Sequence, residues 1–286
     1  MYKIGTRART RMSNGLRRLL PIIKSARNRD VNEADTVTIV TDILEEIFGY
    51  NKYLEITAEH KIRRSYCDLA ITINDHIPFL VEVKAIGCEL KEQHTKQVVE
   101  YSAQEGIKWA VLTNGAQWHI YKVNLKETMK CQLISSFDIT TLTPNQEDTF
   151  VTLYPLSCEG VKKNAFSTLN NHYKVMNQYS VAALLLSPPV LNCLRRETKK
   201  IFKEIATDSA TTTVLNEDIY TLLINKVLKR AITESDELEV AKNFLSRTYR
   251  KIEKHKKKNQ PKKNQPPTTN SSAKIVDLDI HWPNSA

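Results

Sequence analysis

Glycine and proline are scarce in this sequence, seven and ten among 286 residues, which excludes a collagen-like chain and a wholly disordered one. Long apolar runs are missing. The longest, Val181 to Leu186, has six residues, against the roughly 20 that a membrane helix needs. The apolar run Leu19 to Ile23 is too short for a secretory signal, so a cytoplasmic location is expected. The five cysteines (67, 88, 131, 158 and 193) form no C-x-x-C pair, which argues for reduced thiols and against a disulfide framework or a zinc site. The phosphate-binding pattern G-x-x-x-x-G-K-[ST] is absent as well, so no ATP binding or ATPase activity is expected. What is present is 41% hydrophobic residues, enough for a real core in a chain of this length.

The net charge of +10 is uneven. Residues 1–30 hold nine Lys or Arg, including Arg7, Arg9 and Arg11, and a single acid, Asp30. Residues 251–263 hold seven Lys, including Lys256, Lys257 and Lys258, and one Glu. Everything between is slightly acidic, so phosphate attraction would come from the two ends. The bland alternative is a pair of solvated tails that keep the protein soluble.

Along the chain, Asn32 is a good N-cap for a first helix to Phe48, with Gly49 ending it. Glu33, four residues before Val37, is expected on its buried face. Alternating runs follow at Tyr53–Ile62, Cys67–Ile73 and Phe79–Ile86, the last two forming a hairpin around Asn74-Asp75-His76. Lys91–Glu105 reads as a helix, then Trp109–Leu112 and Trp118–Val123 as strands. That order implies an α/β core, a sheet with helices packed on it. Residues 131–160 are mixed. Helices dominate from 162, at about 165–186, after Pro189, after Asn216 and from about Ser235. Residues 256–273 are too poor in apolar side chains to fold. The expected domains are therefore a basic segment at 1–30, the α/β domain at 31–128, a mainly α-helical region at 129–250, and a basic disordered tail at 251–286.

One constellation carries chemistry. Asp68 begins the second strand, and Glu82-Val83-Lys84 lies in the third. Alternation sets Glu82 and Lys84 on one side of that strand, and the hairpin brings Asp68 beside them. Two carboxylates an ion apart suit Mg2+ or Mn2+. A lysine beside them can stabilise charge developing on a phosphate. A Glu-x-Lys strand is usually a solvated face with an ion pair. Here Phe79, Leu80, Val81, Val83, Ala85 and Ile86 instead suggest a strand covered on both faces, where unpaired charge is costly.

Asp68, Glu82-x-Lys84 and Gln97-x-x-x-Tyr101 together resemble the PD-(D/E)XK nuclease superfamily. More narrowly, the stretch from Asn32 to Val123 is similar to the N-terminal nuclease domain of type I restriction enzyme restriction subunits. The likeness includes the leading Glu33 helix, Phe48-Gly49-Tyr50, and Thr113-Asn-Gly-Ala-Gln-Trp118. The resemblance implies a restriction-endonuclease-like core, a mixed sheet flanked by helices, followed here by a mainly helical C-terminal region. It implies Asp68 and Glu82 as metal ligands, joined by the Val83 carbonyl, with Lys84 as the catalytic lysine. Gln97 and Tyr101 would line the active-site face and position the metal or DNA, and Glu33 would be an auxiliary acid. Cys67 stands where the family name has Pro. The motor domains of those subunits have no counterpart, so a stand-alone nuclease is expected. Its function would be Mg2+-dependent phosphodiester hydrolysis, most readily of DNA, in a restriction or defence setting. Paired cutting of both strands would suit a homodimer. The alternative is a non-cleaving nucleic-acid-binding or adaptor module that retains the fold.

Overall fold

A computed structural model describes residues 2–62, 65–125, 131–205 and 214–258. The chain divides into two compact units, Met1–His172 and Tyr173–Ala286.

The first unit opens with helix α1 (Thr6–Arg29), ahead of the helix expected at Asn32. Ala8, Met12, Leu16, Leu19, Ile23 and Ala26 fall on one face at spacings of three and four and are all buried. The basic segment is thus a core element. Helix α2 (Glu33–Glu46) follows, with the Asn32 side chain accepting the Asp35 N–H. Gly49, at φ +82°, turns the chain out of it.

Six strands form one sheet in sequence order: β1 (Ile56–Ile62), β2 (Ser65–Ile73), β3 (His76–Val83), β4 (Trp109–Thr113), β5 (Gln117–Val123) and β6 (Cys131–Asp138). All neighbours are antiparallel except β3 and β4. Those two are joined through helix α3 (Glu92–Gln104), since a parallel pair needs a crossover. The β2–β3 hairpin turns on Asn74 and Asp75, both at positive φ, the geometry of a two-residue turn. Pro78 lies in β3 where the register with β2 shifts, so its missing N–H is tolerated there.

Strand β3 has its odd residues Phe79, Val81 and Val83 in the cluster shared with α1 and α2. Leu80 joins the opposite cluster with Val98 and Val99 of α3. Both faces of β3 are therefore covered. Strand β6 falls in the stretch left unassigned from sequence, and pairs with β5 from Gln117↔Asp138 to Val123↔Cys131. Helices α4 (Glu147–Leu153), α5 (Cys158–Lys162) and α6 (Ala165–Val175) follow. Phe150, Leu153, Leu156 and Phe166 bury in the same cluster as Trp118. The boundary expected at 128/129 thus falls inside the first unit.

The second unit contains α7 (Gln178–Leu185), α8 (Pro188–Ile205), α9 (Asn216–Leu222), α10 (Arg230–Thr233) and α11 (Asp236–Lys258). The single helix expected over 165–186 is broken. Asn177 accepts the N–H groups of Tyr179 and Ser180 and starts α7 afresh. Ala182, Ala183, Leu186, Leu238, Ala241 and Leu245 share one small core. Helix α11 runs through Lys258, so residues 251–258, expected in a disordered tail, are helical; Lys is a good helix former. The rest of that tail lies outside the described residues.

Candidate active site

The site gathers at the C-terminal end of β3. Glu82 is the last residue of that strand to face α3, and it is paired with Leu112 of β4. Its side chain is 1% exposed. Lys84 is the first residue after the strand's end at Val83, its N–H donated to the Thr113 carbonyl at 2.8 Å, which extends the β3–β4 ladder by one step. Its Nζ donates to Glu82 Oε1 at 2.8 Å and lies 3.6 Å from Glu33 Oε1. Asp68 arrives from β2, and its Oδ2 accepts the Val83 N–H at 2.7 Å. That bond fixes the second carboxylate against the backbone between Glu82 and Lys84.

Glu82 Oε2 is buried with no hydrogen-bond partner. Burial, and then the neighbouring charge of Asp68, push the Glu82 carboxyl up to about 7, although Lys84 pulls the other way. Burial also raises Asp68, partly offset by its bond from Val83. For Lys84, burial lowers the ammonium, but the hydrogen bond and charge of Glu82 outweigh it, and the lysine stays protonated above its ordinary range. The result is a desolvated acid pair with one fixed positive charge and an orphaned oxygen. Such an oxygen costs free energy until a cation or a proton meets it. Two hard carboxylate oxygens suit a divalent cation of the Mg2+ type. Among the described residues no group of three or more His, Cys, Asp or Glu is disposed around one point. Further donors would therefore be backbone, water or substrate, and Mg2+ ordinarily retains several waters.

The structure brings Asp68, Glu82, Val83, Lys84 and Glu33 together. Glu33 differs from its expected place. Its side chain is 49% exposed, because it is the first residue of α2 and lies beyond the packed part of that helix. Gln97 and Tyr101 share one side of α3, where Gln97 Nε2 donates to Tyr101 OH at 3.2 Å. Tyr101 packs against the cluster of Leu80, Ala110 and Leu112. The two are thus tied to each other rather than to the carboxylates.

The basic residues separate into classes. Arg9 is bound to both oxygens of Glu147 and lies over the Phe150 ring. Arg11 donates to both oxygens of Glu159 at 2.6 Å and to the carbonyls of Ile47 and Phe48. Both arginines are thus engaged by acids distant in sequence, Arg9 at the surface and Arg11 in a half-buried setting. Arg7 is exposed. Lys256, Lys257 and Lys258 belong to α11, and their side chains lie outside the described residues.

Three residues escaped the sequence reading. Thr36, fully buried, donates to the Asn32 carbonyl and accepts the Ile86 N–H at 3.1 Å. Asn114 donates to the Cys88 carbonyl while accepting from Ala116 and Gln117. Asp30 Oδ1 sits 2.0 Å from where a Cβ on Gly87 would be. Thr36 and Asn114 brace the loop that follows Lys84, and Asp30 lies against it. The Thr113-Asn-Gly turn was the one signal available for Asn114.

Residues 40–137 match the family model described as the type I restriction enzyme R protein N terminus. No curated protein matches the chain, and no solved structure does.

Proposed function

We propose that the segment 40–137, which belongs to the type I restriction enzyme R protein N-terminal family, works in this chain as a metal-dependent nuclease domain acting on DNA. The observation that carries the reading is Glu82 Oε2, buried and unpartnered beside Asp68 and Lys84. In this reading Asp68 and Glu82, with the Val83 carbonyl, hold Mg2+, for which Mn2+ can substitute. The cation, when bound, would neutralise charge on the scissile phosphate and lower the pKa of the attacking water.

The chain's own groups do the rest. The Asp68–Val83 bond keeps one carboxylate in place before the cation arrives. Lys84, protonated, meets the negative charge that develops on the phosphate oxygens. Glu33, 3.6 Å from the ammonium and partly in solvent, is the auxiliary acid that holds the lysine. Gln97 and Tyr101, both half-buried on α3, would meet the DNA only with the polar ends that reach the surface. With no phosphate-binding loop in its sequence, the chain would act without ATP.

The test is cleavage of supercoiled, linear and single-stranded DNA in Mg2+, Mn2+ or EDTA, beside Asp68→Ala and Lys84→Ala. Metal-dependent cutting that both substitutions abolish supports the reading. Wild-type protein that binds DNA in a salt-sensitive manner yet cuts nothing supports the non-cleaving module.

A further inference from the structure

Helix α1 has two faces with different fates. Its apolar face is spent in the core. Its outer face has no acid anywhere between Thr6 and Arg29. Of its cations, Arg9, Arg11 and Arg18 are bound to Glu147, Glu159 and Glu46, and Arg27 lies 4.0 Å from Asp138. Arg7, Arg17, Lys24 and Arg29 are exposed and have no ion-pair partner among the described residues. At 100° per residue these four fall within an arc of about 140°, and they span about 33 Å along the axis. Exposed Thr10, Asn14, Ser25 and Asn28 lie between them on the same face.

The stripe leads to the candidate site. Asp30 ends α1 at φ 50° and lies against Gly87, three residues beyond Lys84. Glu33, four residues after Arg29, reaches Lys84 at 3.6 Å. Helix α1 lies before the matched segment, which begins at residue 40.

We propose that the outer face of α1 is a track for a nucleic-acid backbone, delivering duplex to the site at the end of β3. The proposal rests on the nuclease reading for its purpose, though not for its test. Four unpaired cations on a rigid helix, interleaved with hydroxyl and amide donors, match a row of phosphates. The length matches about one turn of duplex, roughly 34 Å. A membrane surface fits less well. The apolar side of α1 is already buried, and of the outward-facing residues only Pro21 and Ile22 are apolar, leaving nothing to insert into lipid.

The experiment measures binding of the full chain to a duplex oligonucleotide, in EDTA, across a salt series. The variants are Arg7→Gln, Arg17→Gln, Lys24→Gln and Arg29→Gln combined, and Arg17→Gln with Lys24→Gln as a milder pair. Four lost phosphate contacts should flatten the slope of log affinity against log salt by about 3.6, and two by about 1.8. Arg9→Gln, a cation already paired, should leave the slope unchanged. A slope that stays at the wild-type value in both multiple variants overturns the proposal. So does loss of binding to phosphatidylserine vesicles with DNA binding intact, which would make α1 a membrane face. Because EDTA blocks cutting, wild type that binds with the expected slope but never cuts in Mg2+ sinks the nuclease reading and leaves the track standing.

Discussion

Thr36 Oγ1 accepts the backbone N–H of Ile86 at 3.1 Å, fastening the helix that begins with Glu33 to the chain two residues beyond Lys84. The hydroxyl is fully buried and also donates to Asn32. One side chain therefore ties the N-cap of α2 to the loop that positions the lysine. Thr36→Val removes the acceptor at almost constant volume and strands the Ile86 N–H, at a cost of about 1–3 kcal/mol. Thr36→Ser keeps the oxygen and should recover most of the loss. Urea unfolding of both variants, with cleavage rates alongside, checks this. Equal stability of the Val and Ser variants would show the bond to be idle.

Glu82 makes the metal-free protein sensitive to pH with a definite sign. Its folded-state pKa of about 7 lies above its ordinary value of 4.5. Between those values the native state holds a proton that the unfolded state has released, so stability falls as pH rises through the window. The full effect is at most about 3 kcal/mol. Asp68 is shifted in the same direction and adds to the trend at lower pH. Unfolding in EDTA should therefore give a lower stability at pH 8 than at pH 5, and Glu82→Gln should flatten that difference. A divalent cation should restore stability more at pH 8, where the carboxylate is ionised, than at pH 5. A Glu82→Gln protein with the wild-type pH profile would place the titration elsewhere.

Lys84 is expected to matter to chemistry far more than to the fold. Lys84→Met should lower the cleavage rate by about 10^2–10^3-fold while the protein stays folded and still binds DNA. Lys84→Arg should not rescue it. The guanidinium is wider than the ammonium, and here the lysine side chain is 13% exposed and wedged against Glu82. Single-turnover cleavage reads the effect, and a Lys84→Arg enzyme with near-normal rates would mean that only charge is needed.

Much of the site was legible because its parts are close in sequence. Asn32 caps its helix, Asn74 and Asp75 turn their hairpin, and alternation along β3 sets Glu82 and Lys84 on one side. What was not legible depended on distant partners. Helix α1 carries its apolar residues at helical spacing, but Pro21 interrupts the pattern and the arginines read as a charge run. Their roles followed from Glu147 and Glu159, more than a hundred residues away. Strand β6 is an edge strand with only Ile134 buried among hydrophobics, so Gln132, Ser135 and Ser136 hid its alternation. The recognition of Asp68 as a partner of Glu82 needed the hairpin, which the turn residues supplied.

Arg11 and Gly49 offer a test of whether the basic helix is structural. Arg11 donates to Glu159 and to the Ile47 and Phe48 carbonyls at the end of α2. Removing it leaves those acceptors underused, and Arg11→Ala should cost about 2–3 kcal/mol. Gly49 holds φ +82°, and a Cβ there would lie 2.3 Å from Arg11 Cζ. Gly49→Ala thus forces a left-handed alanine and displaces the guanidinium together, for about 2–4 kcal/mol. In the double variant the clash is gone and the lost bonds are counted once. Its destabilisation should fall short of the sum of the two single values by at least about 1 kcal/mol. Additivity within about 0.5 kcal/mol would mean that the two residues do not meet, and that Arg11 is as available to a ligand as its neighbour Arg7.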